Sequence, residues 1–164
     1  MSLTAIADEA GTTRQAVYRR WPTKSDLASA AMAAMEDPPA PARAATLDDP
    51  FADLVAELAD FQQGVSRPGR MSLVGTMLQD STDPDALARY RERVITPRRR
   101  RLKTILTSAQ KGGLIDSDAD LEVGLTMLTG SWYGRALSGA RPPAHWPRRT
   151  AALVWRALGG TPPD

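Results

Sequence analysis

The sequence contains no cysteine. That absence removes disulfides, iron–sulfur clusters and thiolate zinc sites together, and it fits a reducing compartment. Its single histidine, His145, stands beside Trp146 with prolines on both sides of the pair. Such punctuation reads as a turn and leaves metal binding and histidine-base catalysis poorly supplied. No apolar run approaches the ~18 residues needed to span a bilayer, and the N-terminus lacks the basic, apolar and small-residue succession of a signal peptide. The expected address is the cytoplasm, with no membrane partner. There is also no glycine-rich phosphate loop and no β-branched alternation long enough for a confident strand. No catalytic constellation is visible, so an enzyme is not expected and no cofactor or metal is called for.

What remains is an ordinary globular composition. The chain has 164 residues, 42% hydrophobic and 24% charged, with a net charge of +2. At this length about 68–70% of the surface of the unfolded chain can be buried, enough for one sizeable core and a small appended module. Of the 21 basic residues 18 are arginine, the cation suited to bidentate phosphate or guanine contacts.

Cap and turn signals divide the sequence into about seven helical pieces, which makes the fold class all-α. A short helix over Leu3–Ala10 ends at Gly11, and a second over Thr12–Trp21 opens on the capping-box spacing Thr12 to Gln15. Thr23-Lys24-Ser25-Asp26 is the next cap, for an alanine-rich helix to about Glu36. Residues 37–50 hold four prolines and few large apolar groups, a linker, so the expected domains are 1–36, the linker 37–50 and a helical domain over 51–164. Asp49-Pro50 starts a helix carrying Phe51, Leu54, Leu58 and Phe61 on one side, and Asp83-Pro84 starts a long one to Lys111, kinked at Pro97 and ended by Gly112-Gly113. Further helices start at Ser117–Asp120 and about Arg148, each with apolar residues on two faces.

The first two pieces have the size and glycine turn of a helix-turn-helix, whose second helix enters the major groove. Arg14, Arg19, Arg20 and Lys24 supply cations with no intervening acid, and Thr12, Thr13, Gln15 and Tyr18 add uncharged hydrogen-bonding groups. Phosphate contact needs the former and base-edge reading suits Arg and Gln. The run Ile6-Ala7-Asp8-Glu9-Ala10-Gly11, followed by Val17 to Leu27 with its Trp21-Pro22-Thr23-Lys24 step, resembles the DNA-binding signature of the TetR/AcrR family of transcriptional regulators.

The resemblance implies a DNA-binding regulator, a repressor released from a palindromic double-stranded operator by a small-molecule effector. It places DNA contacts on Thr12, Thr13, Arg14, Gln15 and Tyr18, with Lys24 and Ser2 on the backbone. Ile6, Ala10, Val17 and Trp21 read as the motif's small core. The family has a further helix before this motif, so the expected DNA-binding domain lacks its first helix and leans on the second module. The resemblance also implies a homodimer, made by two helices of each subunit, for which Leu125, Leu128, Val154, Trp155 and Leu158 are the candidates. Candidate lining for the effector is Phe61, Met77, Leu78, Tyr90, Val94, Met127 and Trp132. The basic run Arg98–Arg101 is expected to be a solvated surface pairing with acids such as Asp80 or Glu92. The alternative function is a helical dimeric module that binds a ligand or a protein without DNA.

Overall fold

The computed structural model describes residues 2–23, 26, 27, 30, 46–67, 88 and 91–163. Among these residues there are six α-helices, one π-helical turn and no strand, so the fold is all-α. They form two compact units. The described residues up to 30, with 88 and 91–94, belong to the first, and 46–67 with 95–163 belong to the second.

In the first unit, α1 (Leu3–Glu9) and α2 (Arg14–Arg20) meet across a turn at Gly11, whose φ of +62° lies in the left-handed region that glycine enters without strain. Leu3, Ala7 and Val17 are buried between them, with Ile6, Trp21 and Leu27 packed alongside. Ala10, expected in this core, is instead the exposed C-cap of α1. The helix ends before that position can turn inward, and the inner stripe runs through residues 3, 6 and 7.

The second unit is built from α3 (Pro50–Val65), α4 (Thr96–Lys111), α5 (Leu121–Leu137) and α6 (Trp146–Ala157). Asp49 caps α3 by accepting the Ala52 N–H at 3.0 Å, and Pro50 occupies the first turn, where its missing donor costs nothing. Before α4 the chain makes a π-helical turn over Arg91–Ile95. Pro97 follows in the first turn of α4. In place of the expected mid-helix kink there is a widened turn that runs directly into α4 through Ile95, itself helical in backbone, because a proline cannot donate back to the preceding turn. The start at Asp83-Pro84 lies outside the described residues.

Gly112 and Gly113 end α4 as expected, Gly113 with a φ of +68°. The Gln110 side-chain amide then donates to the carbonyls of Asp116 and Ser117, both at 3.1 Å, and holds the turn against the helix it leaves. Asp120 caps α5, accepting from the N–H groups of Glu122 at 3.0 Å and Val123 at 3.1 Å. Helix α6 starts at Trp146, two residues before the expected position. His145 adopts a left-handed φ of 57° and Pro147 falls inside the first turn, so what reads as turn punctuation is a helix start.

The core fills with Leu54, Leu58, Leu102, Ile105, Leu106, Leu125, Leu128 and Val154, all fully buried. At its margin α4 is tied to α5 on the surface: Glu122 accepts from Lys103 at 2.6 Å and Arg99 at 2.8 Å. The hydrogen bond and charge of Lys103, reinforced by Arg99, hold the Glu122 carboxyl below the ordinary carboxylate range. A carboxyl whose folded pKa is lowered contributes stability above its unfolded pKa and loses it as pH falls through the folded one. Glu122→Gln should therefore cost a small amount of melting temperature at neutral pH and nothing once the wild-type carboxyl is protonated in acid. Because the pair is exposed, the difference should also shrink in high salt, measured by thermal melts across pH and ionic strength.

Candidate DNA-reading head and inner aromatic site

The N-cap of α2 falls one residue later than the sequence suggests, and the helix starts at Arg14. Thr13, not Thr12, is the N-cap, and its hydroxyl accepts the Ala16 N–H at 3.2 Å. The residue three beyond Thr13 is Ala16, so the reciprocal box expected between Thr12 and Gln15 does not form. Thr12, Thr13, Arg14 and Gln15 are exposed at the start of α2, and Tyr18, one turn on, is 48% exposed although it is aromatic. Val17, between them in the sequence, is buried against Leu3 and Ala7. The helix thus rests on an apolar inner face and presents a polar, cationic outer one.

Ser2 is exposed and caps α1, accepting from the Ala5 N–H at 3.2 Å. After α2 the Arg20 guanidinium lies over the Trp21 ring, 5.4 Å from its centroid. A reciprocal box follows, in which Thr23 donates through its backbone and hydroxyl to Asp26 Oδ2, at 2.9 and 2.7 Å, and Asp26 N–H donates back at 3.1 Å. This is the cap expected from Thr23-Lys24-Ser25-Asp26; Lys24 itself lies outside the described residues.

The second unit holds an aromatic cluster. Phe61 of α3 stands edge-on to Trp132 and Tyr133 of α5, with ring centroids 6.3 and 5.8 Å apart, and 5.9 Å from Trp146 of α6. Trp132 and Trp146 meet edge to face at 5.0 Å. Beside this cluster Glu57, almost fully buried, accepts from Arg101 Nε at 2.7 Å. The Arg98 guanidinium lies 5.3 Å from the Phe61 centroid.

Two family models match the chain. Residues 1–31 match the family described as bacterial regulatory proteins, tetR family, and residues 45–154 match the tetracyclin repressor-like C-terminal domain. The chain belongs to the TetR family. No curated protein matches it. As a TetR-family protein it is a DNA-binding transcriptional regulator. No described helix is long and apolar enough to cross a membrane.

Within this TetR-family chain, Phe61 and Trp132 are brought together as the sequence suggests, but Met127 is not. It lies on the opposite side of α5 and is 44% exposed. Helical spacing explains the difference, since Leu125, Leu128 and Trp132 form the stripe that α5 turns inward. Val94 lies half-buried in the π-turn, in the first unit, and Met77, Leu78 and Tyr90 lie outside the described residues.

The five dimer candidates need a larger correction. Leu125, Leu128, Val154, Trp155 and Leu158 are all buried within the protomer itself. They form the stripe with which α5 and α6 face α3, α4 and each other, which leaves nothing of them to offer a partner. The exposed apolar residues of these helices are Val123, Met127, Leu137 and Leu153.

The basic run also differs from expectation. Arg99 pairs with Glu122 and Arg101 with Glu57, rather than with Glu92 or the undescribed Asp80. Arg98 and Arg101 sit along the face of α4 that carries Leu102 and Ile105, so half of the run turns toward the core. A signal was present in the sequence: Glu57 falls within the apolar stripe of Leu54, Leu58 and Phe61, and a carboxylate on a buried face requires a cation.

Proposed function

We propose that this regulator is a non-enzymatic, cytoplasmic repressor that works as a homodimer on a palindromic operator and is released by a small-molecule effector. Residues 1–36 hold the DNA-reading head, and the domain that binds effector and partner is built from 50–67 and 95–163, since Pro50 already belongs to α3 and 91–94 group with the first unit. The observation that carries the reading is the exposed row of Thr12, Thr13, Arg14, Gln15 and Tyr18 on a short helix anchored from beneath by Val17. Arg14 and Gln15 read base edges; Tyr18, Lys24 and Ser2 hold the backbone. Effector binding changes operator affinity through a coupling of about 1–3 kcal/mol.

The dimer forms through the outer faces of α5 and α6. Val123, Met127, Leu137 and Leu153 are 54%, 44%, 83% and 64% exposed, and large apolar side chains left in water on these two helices suit a protein partner. Selection of binding sites from fragmented genomic DNA at near-physiological salt tests both parts. The expected result is one enriched palindrome, bound with an affinity that falls steeply as salt rises. Met127→Glu should give monomers by light scattering and lose the palindrome while remaining folded, since the substituted side chain stays in water. Failure to enrich any site would move the reading to a ligand- or protein-binding module, and an unchanged dimer mass would remove Met127 from the interface.

A further inference from the structure

Helix α2 closes on two exposed cations, Arg19 and Arg20, whose surroundings differ. Arg20 lays its guanidinium over the half-buried indole of Trp21, 5.4 Å from the ring centroid. Arg19 has neither a ring nor a carboxylate beside it among the described residues. Trp21 is itself held from several sides. It caps α2 with an extended backbone, its N–H donates to the Val17 carbonyl at 2.8 Å, and its side chain packs on the core of Leu3, Ala7 and Val17. The indole is a shelf anchored in the head, with a guanidinium resting on it.

Stacking occupies the face of a guanidinium and leaves its N–H groups, which lie in the plane, free to donate. No carboxylate pairs with Arg20 among the described residues, so those donors remain for an anion, and phosphate matches their fork. Direction on the helix supplies the second argument. Successive residues of an α-helix turn by about 100°, so Tyr18 and Arg20 leave α2 on nearly opposite flanks, with Val17 between them turned inward. The major groove is about 12 Å wide and a helix with its side chains about 10–12 Å across, so a helix lying there has a sugar–phosphate strand against each flank.

We infer that Arg20 is a phosphate contact, on the flank of α2 opposite Tyr18, and that Trp21 holds it ready. Trp21 is a positioning residue: it acts through Arg20, removing in the free protein the rotamer freedom that a loose arginine gives up on binding. Arg19, with no ring beneath it, loses that freedom only on contact. This inference rests on the reading of α2 as the DNA-reading helix, and its test keeps the two apart.

Affinities of the full chain for the selected operator and for a random duplex of the same length are measured by fluorescence anisotropy over a range of salt. Arg20→Ala should weaken both by a similar factor and lower the slope of log affinity against log salt by about two, one phosphate for each head of the dimer. A loss confined to the operator, or an unchanged slope, overturns the phosphate contact. Trp21→Leu should weaken operator binding by about fivefold or more, and Trp21→Phe, which keeps a ring under the guanidinium, should retain most of the affinity. The loss from Trp21→Leu should persist beside Arg19→Ala and nearly vanish beside Arg20→Ala. Equal losses in the two arginine backgrounds, or a Phe variant as weak as the Leu one, overturn the positioning role, because a Trp21 that only stabilised the head would act whichever arginine is present. Arg14→Ala decides the underlying reading separately. Its loss of operator binding with Arg20→Ala unaltered overturns Arg20 alone, and two unaltered variants overturn α2 as the reading helix.

Discussion

Replacing Arg14 with alanine should lower affinity for the selected operator by about 30-fold to 10⁴-fold. One bidentate contact from arginine to guanine discriminates by about 1–3 kcal/mol, and a symmetric dimer loses two of them. Arg14 is the first residue of α2 and is exposed, so its removal leaves no cavity and no buried partner. Melting temperature should be unchanged, because surface substitutions away from caps and cores stay within about 0.5 kcal/mol. The signature in a fluorescence-anisotropy titration is loss of the specific complex with little change in weak, salt-dependent binding to random DNA. A uniform loss on both DNAs would assign Arg14 to phosphate rather than to a base.

The largest expected effect on stability lies at the C-terminal joint. A Cβ at Gly160 would fall 2.5 Å from the Leu114 carbonyl oxygen and 2.5 Å from the Trp155 indole nitrogen. One of those neighbours is backbone and the other is a buried ring standing edge-on to Phe51 at 5.4 Å, so neither yields readily. Gly160→Ala should cost about 1–3 kcal/mol as overpacking, and Trp155→Ala about 3–5 kcal/mol through the cavity it leaves. The two should not add. Removing the indole clears half of the obstruction, so the double variant should be more stable than the sum of the singles implies, by about 0.5 kcal/mol or more in urea unfolding. Strict additivity would mean that the Leu114 carbonyl alone enforces glycine there. The same burial implies that Trp155→Arg unfolds the protomer instead of separating a dimer.

What was legible in the sequence was local. Asp49-Pro50, Asp120 and Gly112-Gly113 announce their helix ends because a cap depends on residues within one turn of it. The head was legible for the same reason, since its turn, its cations and its cap at Thr23 and Asp26 are consecutive. Orientation was not. Helices α5 and α6 each carry two apolar stripes, and periodicity alone gives no reason why Leu128 and Trp155 turn inward while Met127 and Leu153 remain in water. That choice depends on α3 and α4, which lie far off in sequence. The inward turn of Arg98 and Arg101 is hidden likewise, because a run of four arginines looks uniform until the helix assigns each a different face.

The position of the cap on α2 bears on how operator preference can change over time. Thr13 spends its hydroxyl on the Ala16 N–H and Val17 anchors the helix from below, so neither is at liberty to vary. Arg14 and Gln15 carry no such structural duty. Substitutions at these two positions can accumulate without first destabilising the head, so the lineage can drift from one operator to another through folded intermediates. The same separation makes them the positions to randomise when the regulator is retargeted to a chosen DNA sequence.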